Sequence, residues 1–279
     1  MPKRIGVVAK RDSQEIVAVA RRVCDSIKEK GFSAQPELAL GRLAKIPGGK
    51  PIGQMRVDLI VTVGGDGTVL KAAREMPEAD IPILGVNMGR RGYLTEVGPW
   101  DFDEALARWS RGDFQLEKHW KLSVFGGDRL LGEGLNEALM TPSVPAKMLS
   151  VEVTLGAKKI YSARADGVIV STPTGSTAHS FSSGGPILES SLNAFVLSFI
   201  APLQPVHAIV VPTSRTLRVT VDTPSPGAYV SIDGKVYGRV RIGESVTIRR
   251  SSNNTLFVRF GDSFLERSLR RLAPEKENV

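Results

Sequence analysis

Apolar runs alternate with glycine breaks along the first part of the chain. Ile5 to Ala9 is a short unbroken apolar run of the kind a buried strand needs. From Ser13 to Lys30 the apolar residues Ile16, Val19, Ala20, Val23 and Ile27 recur at helical spacing, and Gly31 stops the pattern. Val57 to Val63 predicts a second buried strand, Thr68 to Arg74 the start of a helix closed by Pro77, and Ile83 to Val86 a third strand. Asp101 to Arg108 predicts a short amphipathic helix ending before Gly112. Strands that alternate with helices imply a parallel sheet with helices on its faces. Ligands of such sheets sit beyond the carboxyl ends of the strands. Two glycine turns fall there, Gly64 to Thr68 and Asn87 to Gly92, and both are expected on one rim.

From Glu117 the pattern changes to short apolar runs between turn signals. Strands are predicted over Lys121 to Phe125, Lys147 to Leu155, Lys159 to Ala163, Gly167 to Ser171, His207 to Val211, Thr216 to Val221, Ala228 to Ile232, Ser245 to Arg249 and Asn254 to Phe260. The turns are Gly126-Gly127-Asp128, Pro224 to Gly227, Asp233-Gly234 and Ser251 to Asn254. The expected fold class is α/β plus all-β: a Rossmann-like N-terminal α/β domain over 1–115 and a C-terminal β-sandwich-like domain over 116–261. Phe264 to Leu272 predicts a terminal helix, and 262–279 is a candidate to complete the first domain.

Composition narrows the function classes. The chain has 279 residues, 42% hydrophobic and 24% charged, as in an ordinary globular protein. Its longest apolar candidate, Ala194 to Val211, is broken by Pro202, Gln204, Pro205 and His207 and falls short of the about 20 residues of a membrane span. No membrane partner and no signal peptide are expected, since the chain runs directly into the first strand pattern. A single cysteine, Cys24, allows no internal disulfide and, with three scattered histidines, no zinc spacing. Cytoplasmic location follows by default. The net charge of +8 points to anionic partners. The basic residues are scattered in short clusters such as Arg21-Arg22, Arg90-Arg91, Arg249-Arg250 and Arg270-Arg271, without interleaved aromatics. No nucleic acid is therefore expected, and phosphorylated small molecules are.

Gly64-Gly65-Asp66-Gly67-Thr68 lies between a strand and a helix. Its glycines let backbone N–H groups approach phosphate, and the helix start adds positive potential. Thr68 is expected to cap a helix starting near Val69. Asp66 would repel phosphate unless it accepts a proton or holds Mg²⁺. The turn is neither a Walker A loop nor a GxGxxG dinucleotide turn. A second dense region, Arg164 to Ile187, runs from a strand into a loop rich in hydroxyls and glycines. Asp166 at its start suits vicinal hydroxyls or an amide, and Asn136-Glu137 is a third polar pair. Ser176 and Ser180 lack the Gly-x-Ser-x-Gly elbow of a hydrolase nucleophile. His119 and His207 read as structural.

The Gly64 to Thr68 turn alone resembles the phosphofructokinase-type kinase superfamily, which includes diacylglycerol, sphingosine and NAD kinases. Joined to Asn136-Glu137, Asp166-Gly167, Thr172-Pro173-Thr174-Gly175-Ser176-Thr177-Ala178 and Gly184-Gly185-Pro186, it resembles the NAD kinase family from about Ile5 to Phe260. The resemblance implies phosphorylation of the adenosine-ribose 2′-hydroxyl of NAD⁺ by ATP with Mg²⁺, or by polyphosphate, in a cleft between the two domains. It implies Asp66 as proton acceptor, with Gly65, Gly67 and Thr68 shaping the donor turn. Asn136 and Glu137 would hold the adenosine side, and Asp166 the nicotinamide ribose or amide. The stretch from Thr177 through Ala178, His179 and Ser180 to Ser182 would line the dinucleotide, with Thr174 and Ala201 also in the site. Lys71, Lys147 and Arg164 match positions that contact NAD phosphates or ribose. His179 stands where the family usually has Tyr, and Lys235 where Gln is usual. The family further implies a homodimer or homotetramer. A lipid kinase of the same superfamily and a non-catalytic dinucleotide sensor are the alternatives.

Overall fold

An unbroken apolar strand must be covered on both faces, and the first strand of the chain is. The computed structural model describes residues 3–76, 80–89 and 92–272. In β1 (Arg4–Ala9) every residue after Arg4 is buried. Helix α1 (Gln14–Glu29) buries Ala20, Val23, Cys24 and Ile27, the face that the sequence periodicity marks. Burial pushes the Cys24 thiol up to about 12, so it packs as a small hydrophobe. Then follow β2 (Ser33–Pro36), α2 (Leu38–Ala44), β3 (Leu59–Gly64), α3 (Asp66–Glu75), β4 (Ile83–Asn87) and α4 (Phe102–Arg111). The strands run parallel in the order β2-β1-β3-β4. β2 and α2 escape the sequence reading because β2 is short, polar and proline-ended, as an edge strand is. Gly64 pairs with Asn87, so the ends of β3 and β4 lie side by side.

One boundary is corrected. Helix α3 begins at Asp66 with Gly65 as its N-cap, so Thr68 lies inside its first turn. Glycine serves at an N-cap, and a carboxylate in the first turn meets the positive end of the helix. The predicted Pro77 stop and the Arg90-Arg91 pair lie outside the described residues.

The chain then continues through β5 (Gln115–Gly126), β6 (Arg129–Gly134), β7 (Glu137–Pro142), β8 (Leu149–Leu155), β9 (Lys158–Ala165) and β10 (Gly167–Ser171). After a single 3₁₀ turn and the short α5 (His179–Ser182) come β11 (Ala194–Ile200), β12 (Ile209–Pro212), β13 (Leu217–Asp222), β14 (Ala228–Ile232) and β15 (Lys235–Val240). β16 (Ser245–Arg259) and α6 (Phe264–Leu272) close the described chain. Two compact units result, Met1–Lys118 with Asn254–Val279, and His119–Asn253.

In the second unit an antiparallel sheet has the order β12-β11-β10-β7-β14-β15. It shares one core with the antiparallel strands β16-β13-β8-β9, through Val151, Val153, Phe195, Leu197, Leu217 and Val219 among others. Two sheets over one core make the expected sandwich-like domain. The predicted turn at Ser251 to Asn254 is instead continuous strand within β16. Ser251 Oγ and Asn253 Nδ2 donate to Glu133, so side-chain partners satisfy the polar run that reads as a turn. Among the described residues no helix is long and apolar enough to cross a membrane.

Candidate active site

The first unit carries the acid-bearing turn. Gly64 has φ of +153°, and a Cβ there would lie 2.4 Å from Thr68 Oγ1. Only glycine lets β3 turn this tightly into α3. The turn sets Asp66, half-buried, at the helix start. Its two carboxylate oxygens accept the backbone N–H groups of Tyr93 at 2.9 Å and Leu94 at 3.0 Å. Each oxygen keeps further acceptor capacity for a substrate hydroxyl.

Beside the turn lies a cavity of about 560 Å³, lined by Lys10, Arg11, Gly65, Gly67, Thr68 and Lys71 among others. That volume suits a nucleotide-sized ligand. Three cations at its wall and a helix start in its floor favour phosphate. A Cβ on Gly65 or Gly67 would meet no atom within 4 Å, so these glycines keep the space open. Lys71 Nζ is held at 2.6 Å by Glu37 Oε1, which fixes the direction of its side chain.

In the second unit, Asn136-Glu137 and the Thr172 to Ser182 loop form one body. A Cβ on Gly175 would lie 2.2 Å from the Asn136 carbonyl oxygen, so the loop rests directly on that backbone. Thr172 donates its N–H to Asn136 O at 2.9 Å and its hydroxyl to Leu135 O at 2.6 Å. Below them Asp233 accepts three N–H groups, from Leu135 at 2.7 Å, Asn136 at 2.9 Å and Glu137 at 3.1 Å. Burial pushes the Asp233 carboxyl up to about 6, with Glu137 adding in the same direction and the three N–H groups opposing. Asp233 is thus the anchor of the Asn136-Glu137 turn. In the sequence Asp233-Gly234 reads only as a turn, and nothing in its spacing marks a long-range acceptor.

Glu137 is buried, and its Oε1 lies 3.2 Å from Nδ1 of the exposed His179. That hydrogen bond raises the His179 pKa above its usual range, against a smaller opposing effect of burial. Most loop hydroxyls are engaged within the unit. Thr174 Oγ1 meets the buried His119 at 2.7 Å, Ser176 bonds Pro173 O at 2.6 Å, Thr177 bonds Thr174 O at 3.2 Å, and Ser180 meets Ser198 at 2.9 Å. Ala178 is half-buried, and His179 and Ser182 are exposed. Lys235 is also exposed, its ammonium 5.5 Å from the Tyr237 ring.

The remaining expected residues lie elsewhere in this unit. Asp166 precedes β10 and Thr172 follows it, which separates them by about 20 Å of extended strand. At the Asp166 end stand Arg164, whose carbonyl accepts Leu203 N–H at 2.8 Å, and Ala201, with φ of +42° just after β11. Lys147 and Arg164 line a cavity of about 370 Å³ with Met148 and Pro224. The structure therefore gathers Asn136, Glu137, Thr174, Thr177 and His179 at one end of β10, and Lys147, Arg164, Asp166 and Ala201 at the other. Among the described residues no three His, Cys, Asp or Glu side chains come together as a metal site.

A β-strand, a glycine turn bearing a fixed acid, and a cationic cavity at a helix start are the parts of a phosphoryl-transfer scaffold. Comparison with known sequences names the particular kind. The ATP-NAD kinase N-terminal domain matches residues 5–114, and the ATP-NAD kinase C-terminal domain matches residues 135–260. The chain is 39% identical over 272 residues to an NAD kinase of Methanopyrus kandleri, covering 95% of this chain and 96% of that protein. It is 35% identical to an NAD kinase of Methanothermobacter thermautotrophicus, covering 96% of each. Among solved structures, an Archaeoglobus fulgidus NAD kinase in complex with ATP matches with a TM-score of 0.76 and 29% identity, over 96% of this chain and 99% of that one. Yeast NADH kinase complexed with NADH, 17% identical, shares the fold with a TM-score of 0.87 over 100% of this chain and 89% of that one. The chain belongs to the NAD kinase family.

Proposed function

We propose that this protein phosphorylates the 2′-hydroxyl of the adenosine ribose of NAD⁺, with ATP as donor, to give NADP⁺. The observation that carries the reading is Asp66, held by two backbone N–H groups at the tip of the turn that borders the cationic cavity. In this reading the Asp66 carboxylate takes the proton of the ribose hydroxyl as its oxygen bonds to the γ-phosphorus. The bond from the γ-phosphorus to the bridging oxygen breaks, and ADP leaves with that electron pair. Gly65, Gly67 and Thr68 give the donor phosphates room and N–H groups, while Lys71, braced by Glu37, supplies positive charge. Asn136 and Glu137 hold the adenosine side. Lys147, Arg164, Asp166 and Ala201, at the far end of β10, take the other half of the dinucleotide. A divalent cation accompanying ATP would supply charge neutralisation at the donor phosphates, beside the Gly65 to Thr68 turn.

We assign donor chemistry to the unit of Met1–Lys118 with Asn254–Val279, and dinucleotide binding to the unit of His119–Asn253. A homodimer or homotetramer is expected, and exposed apolar Tyr229 and Val236 on β14 and β15 suit an interface. The cytoplasm is the expected compartment. Incubation with NAD⁺, ATP and Mg²⁺, followed by assay for NADP⁺, tests the function. NADP⁺ formation is expected. Dinucleotide binding without turnover would favour a sensor instead, and turnover of a lipid alone a lipid kinase. Replacing ATP with polyphosphate in the same assay identifies the donor.

A further inference from the structure

Asp66 takes its two N–H groups from a segment that a buried charge cluster grips. The carbonyl of Leu94 accepts Arg259 Nη1 at 3.1 Å. The same nitrogen meets Glu96 Oε2 at 3.1 Å, and Arg259 Nε meets Glu117 Oε2 at 2.6 Å. Arg267 of α6 closes the ring, with Nη2 at 2.8 Å from Glu117 and Nη1 at 3.5 Å from Glu96. The second oxygen of each glutamate accepts a backbone N–H at 2.8 Å, from Phe260 on Glu96 and from Phe264 on Glu117. Arg259 is 2% exposed and Arg267 6%. Glu96 in turn follows Leu94 closely, and its own N–H donates to Gly85 O at 2.8 Å. The segment is thus pinned at its carbonyl, its side chain and its backbone.

Stability alone does not account for this cluster, since well-packed apolar side chains often serve a buried site as well as paired ions do. A staple for α6 would need only the charge pairs. The bond to the Leu94 carbonyl adds a grip on the segment that orients the acid. α6 also brings Arg271 into the field of Asp66. Burial pushes the Arg271 guanidinium below its usual range, and Asp66 leads the charges that oppose this.

We propose that Arg259, braced by Glu96, Glu117 and Arg267, is a positioning residue for Asp66: it fixes the Tyr93 to Glu96 segment whose N–H groups aim the carboxylate. The inference rests on Asp66 being the proton acceptor. Arg259→Lys keeps the charge but replaces a planar fork with one nitrogen, which cannot serve Leu94 and both glutamates together. Its kcat is expected to fall about 10- to 100-fold, with KM for NAD⁺ and ATP within about twofold of the parent. Val23→Ala, a cavity in the core of the same unit, is the control: it lowers the unfolding midpoint and leaves kcat unchanged. In an Asp66→Asn background the Arg259→Lys loss disappears, because the group it aims is gone. Glu96→Gln loosens the same grip by another route and stands in where Arg259→Lys does not fold. Parental kcat in either folded variant overturns the inference, as does a full additional loss in the Asp66→Asn background. Near-parental turnover of Asp66→Asn alone instead overturns the proton-acceptor reading, so the two failures are told apart.

Discussion

The two glycine-rich turns of this chain use the same residue in opposite ways. At Gly65 and Gly67 a Cβ would enter open space, whereas at Gly175 it would lie 2.2 Å from Asn136 O and at Gly185 2.4 Å from Ser180 Oγ. The first turn leaves open space beside it, and the second is closed on its own neighbours. Their polar groups differ in the same sense. Asp66 keeps acceptor capacity beyond its two backbone bonds, while the hydroxyls of Thr174, Ser176, Thr177 and Ser180 are already engaged. In the second unit the run of glycines and hydroxyls packs on the Asn136-Glu137 backbone and shapes that turn.

The largest effect that tests this contrast is at the open turn. Asp66→Asn is expected to lower kcat by about 10²- to 10⁴-fold, the range of a lost general base. The amide keeps an acceptor for only one of the two N–H groups, a cost of about 1 kcal/mol in stability. Steady-state kinetics beside thermal unfolding checks both halves, and an inactive variant that is also unfolded would merge the two turns into one structural role. Next comes the closed turn. Gly175→Ala presses a methyl group into the Asn136 backbone, which costs about 1 to 3 kcal/mol by overpacking. Because the strain falls on Asn136, KM for NAD⁺ should rise about tenfold with KM for ATP unchanged. Denaturant unfolding and the two KM values decide it.

Asp233 sharpens the contrast through pH. Its folded-state value of about 6 lies above its ordinary 3.8, so its contribution to stability is complete below about 3.8 and is lost as pH rises through about 6. Its service to the site runs the other way. Only the ionised carboxylate presents two free oxygens to the N–H groups of Leu135, Asn136 and Glu137. KM for NAD⁺ should therefore rise several-fold as pH falls through about 6, and Asp233→Asn should flatten that rise. His179 titrates nearby, its pKa raised by Glu137. The profile is measured in the His179→Tyr background too, where the component due to Asp233 persists.

How much of this was legible in the sequence depends on the range of the interactions. The α/β alternation, the helix from Ser13 to Lys30 and the strand from Gly167 to Ser171 follow local periodicity, and the structure has them within a residue or two. Helix α3 starts earlier than read because glycine at an N-cap leaves no side-chain signature. The sequence pattern divides β16 in two because Ser251 and Asn253 find their partner in Glu133, more than a hundred residues away. Partners almost as far or farther along the chain hide Asp233 and Arg259. An aspartate before glycine reads as a turn, and an arginine ending a strand reads as a solvated charge. Only the fold brings either to the backbone it holds. The Asp66 turn stands out in the sequence because Gly64 to Thr68 is contiguous, whereas the proton-acceptor role expected of Asp66 comes from the family resemblance, and its partners Tyr93 and Leu94 only from the fold.

The smallest effect is the most discriminating, because its sign on stability is opposite to that of Gly175. Gly67 is exposed in the first turn of α3, with nothing within 4 Å of its missing Cβ. Alanine is the better helix former by about 1 kcal/mol, so Gly67→Ala should leave the unfolding midpoint unchanged or raise it. The methyl group then stands in the cavity that Gly65, Gly67 and Lys71 line, where the proposed donor phosphates approach the backbone. KM for ATP should rise about three- to tenfold, with KM for NAD⁺ unaffected, as kinetics at saturating cosubstrate will measure. A stabilised variant with weakened ATP use separates a turn built around a ligand from one built around its own chain. A destabilised variant, or one with parental ATP kinetics, would erase the distinction.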